Sequence, residues 1–238
     1  MWNRLCDARK RSTLDLVTQL ASNPRVPSIP RRLGTPLAVC VFLLAAWSMP
    51  GTSQAQQWRA VSDKNDIRVE RRSIPGERYD ELRLSTSLNV SPKVIASYLF
   101  GKFLDQNNKN VTRTFIQRGR DVTIWSDVLS MPMTRDRCYS MRFERHDFAN
   151  GEIRVAFASL AFLGKRTTPD CIALRSRGEW IITPTHAETR LTYISLTDIG
   201  GNVPVFLAER SLSSAAILSI RKVVAGASGL PPPEGIVD

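Results

Sequence analysis

The alternation of apolar and polar side chains constrains the fold of this chain more than any other feature. Ile67 and Val69 alternate with charged neighbours, and the same period of two continues through residues 82–88, 112–116 and 122–128. Period-two alternation is typical of strands that bury one face. A sheet made of such strands has an apolar face that another element must cover.

Further strands are predicted in the second half of the chain, where the same alternation returns. Asn150-Gly151 is a strong signal for a hairpin turn. A short helix is predicted to begin after Ser91, which would cap it, with Pro92 at its first position. The later predicted strands occupy residues 139–144, 153–157, 171–183 and 189–197.

A long helix is predicted near the C-terminus, over residues 203–224, because apolar residues recur there at helical spacing. Laid across the open face of a curved antiparallel sheet, this helix would complete a two-layer α+β domain over residues 56–225. Residues 226–238 contain three consecutive prolines and are predicted to be disordered. The space between a bent sheet and a covering helix is a frequent place for a ligand cavity.

The first 55 residues are predicted to be a secretion signal rather than part of the fold. Arginines precede an apolar run at residues 37–47, which suits a signal peptide and is shorter than the roughly 20 residues of a membrane-spanning helix. Ser53 and Ala55 supply small residues at the two key positions of a cleavage site. We therefore expect cleavage after Ala55 and a secreted, periplasmic mature chain. A buried core helix and a retained N-terminal anchor are the alternatives.

The net charge of +11 falls to +6 when the seven basic and two acidic residues of this leader are removed. The remaining basic residues are dispersed and form no stripe with interleaved aromatics, which speaks against nucleic acid as a partner. The charge permits a transient contact with anionic lipid headgroups. The oligomeric state is not determined by the sequence.

Cys138 and Cys171 are the cysteines that remain after the predicted cleavage. An oxidising compartment permits a disulfide between them. In a simple meander one strand separates the two residues, which puts them about 10 Å apart, whereas a disulfide needs Cα atoms within about 7 Å. A bridge therefore requires both cysteines to lie beyond the end of the intervening strand, and the sequence leaves it undecided.

Several segments resemble START-type lipid-binding domains, which belong to the helix-grip superfamily. Residues 132–137 contain a proline followed by an Arg-Asp pair, residues 178–184 end in a proline, and residues 198–204 lead into the last helix. Trp58 and residues 67–71 resemble the opening strand of the family. The resemblance spans most of the predicted domain. It implies a helix-grip fold with a tunnel for a lipid or another apolar molecule.

The strand alternation selects the side chains that would line such a cavity. They are Tyr139, Met141, Phe143, Arg145, Val155, Phe157, Leu174, Ser176, Trp180 and Tyr193, and the C-terminal helix would add Phe206 and Leu207. The same side chains would form an ordinary core if no inner volume stayed open. Because a buried unpaired arginine is costly, Arg145 would either hold a ligand's carboxylate or phosphate group or lie past the sheet edge in solvent.

Binding of a lipid or another hydrophobic small molecule is therefore the first functional hypothesis. An enzyme of the cyclase or hydratase type is the alternative, with Tyr139, Tyr193 and Arg145 as the available acid–base groups. A structural protein with a filled interior is the third. His146 and His186 have no neighbour at metal-ligand spacing, and the sequence has no phosphate-binding glycine loop and no nucleophile elbow. Neither a metal nor a cofactor is predicted.

Overall fold

The computed structural model describes residues 57–106, 109–131, 134–164, 171–231 and 233. The predicted leader with its cleavage site, and most of the last seven residues of the predicted tail, lie outside this part of the chain. The described elements are β1 (Arg59–Lys64), β2 (Ile67–Arg72), β3 (Glu81–Leu88), α1 (Pro92–Phe100), β4 (Val111–Arg118), β5 (Val122–Leu129), β6 (Arg137–Asp147), β7 (Ile153–Leu160), β8 (Ile172–Ala173), β9 (Arg175–Pro184), β10 (Thr189–Asp198) and α2 (Val205–Ala227).

The strands form one sheet, in which antiparallel neighbours follow the order β1-β2-β3-β10-β9-β7-β6-β5-β4. The short strand β8 lies off this path and pairs in parallel with the start of β6. Helix α2 contacts β3 and β10, helix α1 contacts β7 and β9, and the two helices contact each other. The predicted α+β architecture, an antiparallel sheet covered by a long C-terminal helix, is confirmed.

The hairpin of β1 and β2 was not predicted, because the apolar alternation begins only at Ile67. Asn65 and Asp66 instead form the turn, with φ values of 53° and 59°. Asparagine and aspartate adopt this left-handed conformation more readily than most residues. Strand β1 exposes nearly all of its side chains at the edge of the sheet, so it carries no periodic apolar pattern.

The two helices begin and end close to their predicted positions. Pro92 is the first residue of α1, but the Ser91 side chain makes no capping hydrogen bond. The backbone carbonyl of Ser91 instead accepts hydrogen bonds from the N–H groups of Val94 and Ile95. Helix α2 extends to Ala227, two residues past the predicted domain end at residue 225. No helix within the described ranges is long and apolar enough to cross a membrane.

The core lies between the sheet and the two helices. Strand residues from the inner face meet Ile95 and Leu99 of α1 and Ile220 and Val223 of α2, which are all fully buried. Buried apolar surface contributes about 25 cal/mol per Å², so this layer is the main source of hydrophobic stabilisation. It is also the layer that contains the candidate site.

Candidate functional site

A chain of aromatic rings runs across the inner face of the sheet. Ring centroids are 4.8 Å apart for Trp125 and Phe143, 5.6 Å for Phe143 and Phe157, 5.8 Å for Phe157 and Tyr193, and 4.2 Å for Tyr193 and Trp180. Such contacts add about 0.5–1.5 kcal/mol each beyond their burial. The rings give the interior a continuous apolar wall.

One glycine makes this chain of rings continuous. Gly178 of β9 lies between Phe157 of β7 and Ser195 of β10. A Cβ atom at Gly178 would lie 2.6 Å from Cζ of Phe157 and 2.0 Å from the carbonyl oxygen of Ile194. The missing side chain therefore lets the Phe157 ring pass over β9 and stack on Tyr193.

Seven of the residues predicted to line a cavity come together on this inner face. Met141, Phe143, Val155, Phe157 and Trp180 belong to the buried core. Tyr139 and Tyr193 pack against that core but are only partly covered. Strand parity predicted which side chains share a face within each strand, and the pairing of the strands brings these seven to the same face.

Two other predicted residues lie outside this cluster. Leu174 is in the link between β8 and β9, and its N–H donates to the carbonyl of Cys138. The Ser176 hydroxyl is 2.7 Å from the hydroxyl of Thr197 on β10. Both are half-buried near one end of the sheet.

The prediction that Phe206 and Leu207 face the interior is wrong, because their side chains are 70% and 47% exposed. The buried residues of α2 follow a stripe that begins at Ala208 and continues through Ala216 and Ile220. Phe206 precedes Ala208 by two positions, which turns it about 200° around the helix axis and away from the sheet. The apolar residues at the start of α2 therefore form a surface patch.

Arg145 makes a bidentate ion pair with Asp147, with distances of 2.6 and 2.8 Å from its nitrogens to the two carboxylate oxygens. Asp147 is about half exposed, so the pair lies at the edge of the sheet. The hydrogen bonds to Asp147 raise the pKa of Arg145. An anionic ligand is therefore not needed to explain an arginine at this position.

A buried charged cluster occupies the inner face beside the aromatic chain. Asp127 of β5 is fully buried and accepts hydrogen bonds from four groups. Arg113 donates from Nε at 2.8 Å and from Nη2 at 2.6 Å, the Trp125 indole donates at 3.0 Å, and the Tyr139 phenol donates at 2.7 Å. A third nitrogen of Arg113 donates to the carbonyl of Leu104. Every oxygen of the buried carboxylate is thus satisfied.

The electrostatics of this cluster follow from burial and pairing. Burial alone would lower the pKa of Arg113, but its hydrogen bonds to Asp127 and the charge of that carboxylate outweigh burial and raise it. Burial, followed by the negative charge of Asp127, raises the pKa of the Tyr139 phenol far above its usual value. Burial also raises the pKa of Tyr193, against a smaller opposing effect of its hydrogen bond with Ser195.

These pKa directions make the inner face better suited to binding than to proton transfer. Tyr139 and Tyr193 are weaker acids than a free phenol, and a general acid works best with a pKa near the working pH. Asp127 already accepts four hydrogen bonds, three on Oδ2 and one on Oδ1, and it is paired with the Arg113 charge. What remains is a rigid, electrically balanced polar group at one side of an apolar interior.

Asp127 and Arg113 were not among the predicted site residues. The available signal was parity, because Asp127 continues the inner-facing positions of Thr123 and Trp125 along β5. An acidic residue at a buried strand position requires a partner. That the partner is Arg113 follows from the pairing of β4 with β5, in which the two residues lie opposite each other.

Cys138 and Cys171 form a disulfide, with Cα atoms 5.7 Å apart. The meander assumption placed a whole strand between them, but β7 pairs with β6 only from Ser140 onward. Beyond that point β8 takes its place, and Cys138 pairs with Ala173. The two cysteines are therefore one strand spacing apart.

A polar groove of about 950 Å³ lies on the opposite face of the sheet. Its floor includes Ser85 and Thr192, which alternate along their strands with the buried Leu84 and Leu191. Glu70 lies in this groove and forms ion pairs with Arg68 and Arg83 on the same face. The contrast between the two faces leaves the apolar inner one as the candidate site.

Comparisons with known proteins rest on structure alone, because no protein-family model and no curated protein matches the sequence. A STAR-related lipid transfer protein from Xanthomonas axonopodis superposes with a TM-score of 0.62 at 18% identity, over 72% of this chain and 98% of that one. Human StAR-related lipid transfer protein 5 superposes with a TM-score of 0.58 at 14% identity, over 74% of this chain and 88% of that one. The lipid transfer and protein localization domain of human StarD13 superposes with a TM-score of 0.58 at 16% identity, over 71% of this chain and 89% of that one.

These similarities establish the class of fold. The chain has the helix-grip fold of START-type domains, as its sequence motifs implied. The coverage shows that the likeness includes nearly the whole of the bacterial structure. The identities are low, so they establish the fold and leave the ligand to be argued from this chain's own residues.

Proposed function

We propose that the protein binds a lipid or another apolar small molecule between the sheet and helix α2. The observation that carries the proposal is the incomplete covering of Tyr139 and Tyr193 beside completely buried neighbours. In a close-packed interior, side chains at the depth of Trp180, which is 1% exposed, are covered on all sides. Burial dominates the pKa of both phenols, so the surface that the two residues keep open supports unfilled volume beside the inner face rather than contact with bulk solvent.

The chemistry of that volume favours a largely apolar ligand. Aromatic rings and aliphatic side chains supply its wall, and each CH₂ group moved there from water contributes about 0.8 kcal/mol. The similarity to proteins described as lipid transfer proteins supports the same class of ligand. Transfer between membranes would add a step of release, which requires α2 or an adjacent loop to open.

The buried cluster favours a neutral ligand that has a hydroxyl group. Asp127 and Arg113 balance each other's charge, so a fatty-acid carboxylate would find no free cation there. The Tyr139 hydroxyl donates its proton to Asp127, and Arg113 faces its oxygen, which leaves one lone pair that can accept a hydrogen bond. A sterol or a long-chain alcohol has a donor for that oxygen and an apolar body for the aromatic wall.

Native mass spectrometry of gently purified full-length protein tests this function. We expect an additional mass of a few hundred daltons that organic solvent removes and that lipid analysis identifies. If the protein has no bound mass and takes up no long-chain alcohol or sterol after incubation with vesicles, a filled interior is the correct description. In that case the proposal fails.

Tyr139→Phe tests the hydroxyl-specific part of the proposal. Losing one hydrogen bond of about 1 kcal/mol should lower the affinity for a long-chain alcohol about fivefold and leave the affinity for the matching alkane unchanged. Tyr98→Phe is the matched control, because the Tyr98 phenol accepts from Gln106 outside the charged cluster. Equal effects of Tyr139→Phe on alcohol and alkane would contradict the assignment.

We also propose export and brief contact with membranes. The disulfide supports an oxidising compartment. The exported protein should have the mass of a chain that starts at Gln56. Val205, Phe206 and Leu207 are all exposed at the start of α2, which supports docking on a bilayer. Phe206→Ser should then reduce vesicle binding without reducing stability, and unchanged vesicle binding would exclude this patch.

A further inference from the structure

The first turn of α2, residues 205–208, precedes the first ion pair that ties the helix to the sheet, which joins Glu209 to Arg71 of β2 at 3.1 Å. The first three residues of α2 are exposed, and the first buried side chain is that of Ala208. Pro204 precedes the helix, and no side chain caps it. The position of this end therefore depends on the segment that joins it to β10, residues 199–204, which we call the junction.

Two arginines hold the carbonyl groups of the junction. Arg137 of β6 is 2% exposed, and its Nε donates to the carbonyl of Ile199 at 2.6 Å. Arg78, from the loop between β2 and β3, donates to the carbonyls of Gly201 at 2.6 Å and Val203 at 2.7 Å. The junction is thus fastened through its backbone, which leaves it independent of the side chains of α2.

The junction also rests directly on strand β8. Gly200 and Gly201 have φ values of 64° and 70°, which disfavour residues with a side chain. A Cβ atom on Gly200 would lie 2.7 Å from Cγ2 of Ile172 and 2.8 Å from the carbonyl oxygen of Ala173. The backbone of the junction and the two residues of β8 are therefore in close contact.

Strand β8 is in turn fastened by the disulfide. It consists of two residues, Ile172 and Ala173, which pair with Arg137 and Cys138. A pairing this short has few hydrogen bonds, and the Cys138–Cys171 bond lies immediately before it in the chain. The same short stretch of β6 thus supplies one partner of the disulfide and the arginine that holds the junction.

We infer that the Cys138–Cys171 disulfide is a redox-sensitive lock on the N-terminal end of α2. When it is oxidised, β8 supports the junction and α2 stays against the sheet. When it is reduced, β8 loosens, the junction keeps its hydrogen bonds to Arg78 and Arg137 but loses the strand beneath it, and the first turn of α2 opens more often. That this opening regulates ligand exchange rests on the proposed function, whereas the lock itself does not.

The redox step is a thiol–disulfide exchange with a dithiol reductant. Cys171 is half-exposed and Cys138 is 3% exposed, so the attacking thiolate reaches the sulfur of Cys171 and displaces the Cys138 thiolate, which takes up a proton. The second thiol of the reductant then releases Cys171 as a thiol. The protein gains two electrons and two protons, and the reductant becomes a disulfide.

Hydrogen exchange of the full chain, oxidised and then reduced with dithiothreitol, tests the lock without any ligand. We expect amides of residues 199–208 to exchange at least about tenfold faster after reduction, as a local opening, while α1 keeps its protection. Cys138→Ser/Cys171→Ser should show the faster exchange without reductant and no further change with it. If this variant does not fold, reduction of folded wild-type protein remains sufficient.

Two outcomes would overturn the lock. One is unchanged exchange at residues 199–208 after reduction is verified by mass. The other is an equal increase over the whole sheet, which would make the disulfide a general stabiliser. Arg78→Gln is a positive control, because it removes two hydrogen bonds from the junction and should loosen the same residues.

Release of Nile red, a neutral apolar dye, tests the regulatory part. We expect its dissociation rate to rise about tenfold on reduction, in proportion to the local opening. If hydrogen exchange at residues 199–208 is faster but the dye dissociates at the same rate, the disulfide controls the position of α2 and does not control ligand release. If the dye binds in neither state, the proposed function fails and the exchange experiment still decides the lock.

Discussion

Replacement of Asp127 by asparagine is expected to destabilise the protein by about 3–5 kcal/mol, because it leaves the Arg113 charge without its partner. The substitution keeps the shape of the side chain, so no cavity contributes. The two carboxylate oxygens receive two bonds from Arg113 and one each from Trp125 and Tyr139. An asparagine NH₂ in either orientation would point a donor at one of these donors.

The exposure of Arg113 sets where in that range the loss should fall. Its side chain is 25% exposed, whereas that of Asp127 is 0% exposed. Water can therefore reach part of the guanidinium and replace some of the lost interaction. We expect a value near the lower end, about 3 kcal/mol.

Urea unfolding at pH 7, followed by far-ultraviolet circular dichroism, measures this change. Glu81→Gln is the matched control, because its partner Arg72 is 34% exposed and Glu81 is 14% exposed. A pair this close to solvent is worth about 0–1 kcal/mol. The comparison separates the loss of a buried charge partner from the general effect of neutralising a carboxylate.

A loss below about 1 kcal/mol for Asp127→Asn would refute the reasoning, since it would equal that of an exposed pair. The double variant Arg113→Met/Asp127→Leu gives a second check. Replacing a whole buried ion pair by apolar groups is often neutral or stabilising by about 1–4 kcal/mol. The double variant should therefore be more stable than Asp127→Asn, and a larger loss would show that the cluster stabilises the fold through its hydrogen bonds.

Three further substitutions have expected outcomes in the same unfolding assay. Gly226→Ala should destabilise by about 1–2 kcal/mol, because its Cβ would lie 2.0 Å from the Tyr98 ring, and in a Tyr98→Ala background it should instead stabilise. The hydrogen bond from Arg83 lowers the pKa of Glu70, so Glu70 stabilises the fold above its unfolded pKa of about 4.3 and loses this effect as the pH falls further. Glu70→Gln should therefore flatten the decline in stability from pH 7 to pH 3. Ile220→Ala should cost about 2–5 kcal/mol, because the side chain is fully buried.

Each of these substitutions has a control at an exposed position. Ser211→Ala changes an exposed position of α2, Glu188→Gln neutralises an exposed glutamate, and Phe206→Ala truncates an exposed apolar side chain. All three should change stability by less than about 0.5 kcal/mol at pH 7. A control as damaging as its partner would show that the burial or contact invoked for that partner is not the cause.

The exposure of Phe206 shows that helical periodicity predicts a helix but not which of its sides is buried. The pattern of apolar residues identified α2 and its approximate length, since apolar side chains at helical spacing need a common surface. It did not show which of two apolar stripes faces the sheet. That choice depends on close packing against α1, where Gly226 meets the Tyr98 ring, and no spacing within α2 itself contains this contact.

Strand alternation together with the helical spacing near the C-terminus predicted the α+β architecture, and alternation predicted the shared face within each strand, Met141 with Phe143 and Val155 with Phe157. Side chains on a strand point alternately to opposite faces, so local sequence is enough to separate buried from exposed positions. It is also enough to show that the buried face requires a cover. The predicted leader stays a prediction.

Only the tertiary structure decided which residues meet across the sheet. Asp127 finds Arg113 because β4 lies beside β5, and Cys138 reaches Cys171 because β7 ends where β8 begins. Strand partners are selected by the packing of the whole sheet and its helices, through contacts between residues distant in sequence. Local alternation determines the face of each side chain, whereas its neighbour on that face is determined by the complete fold.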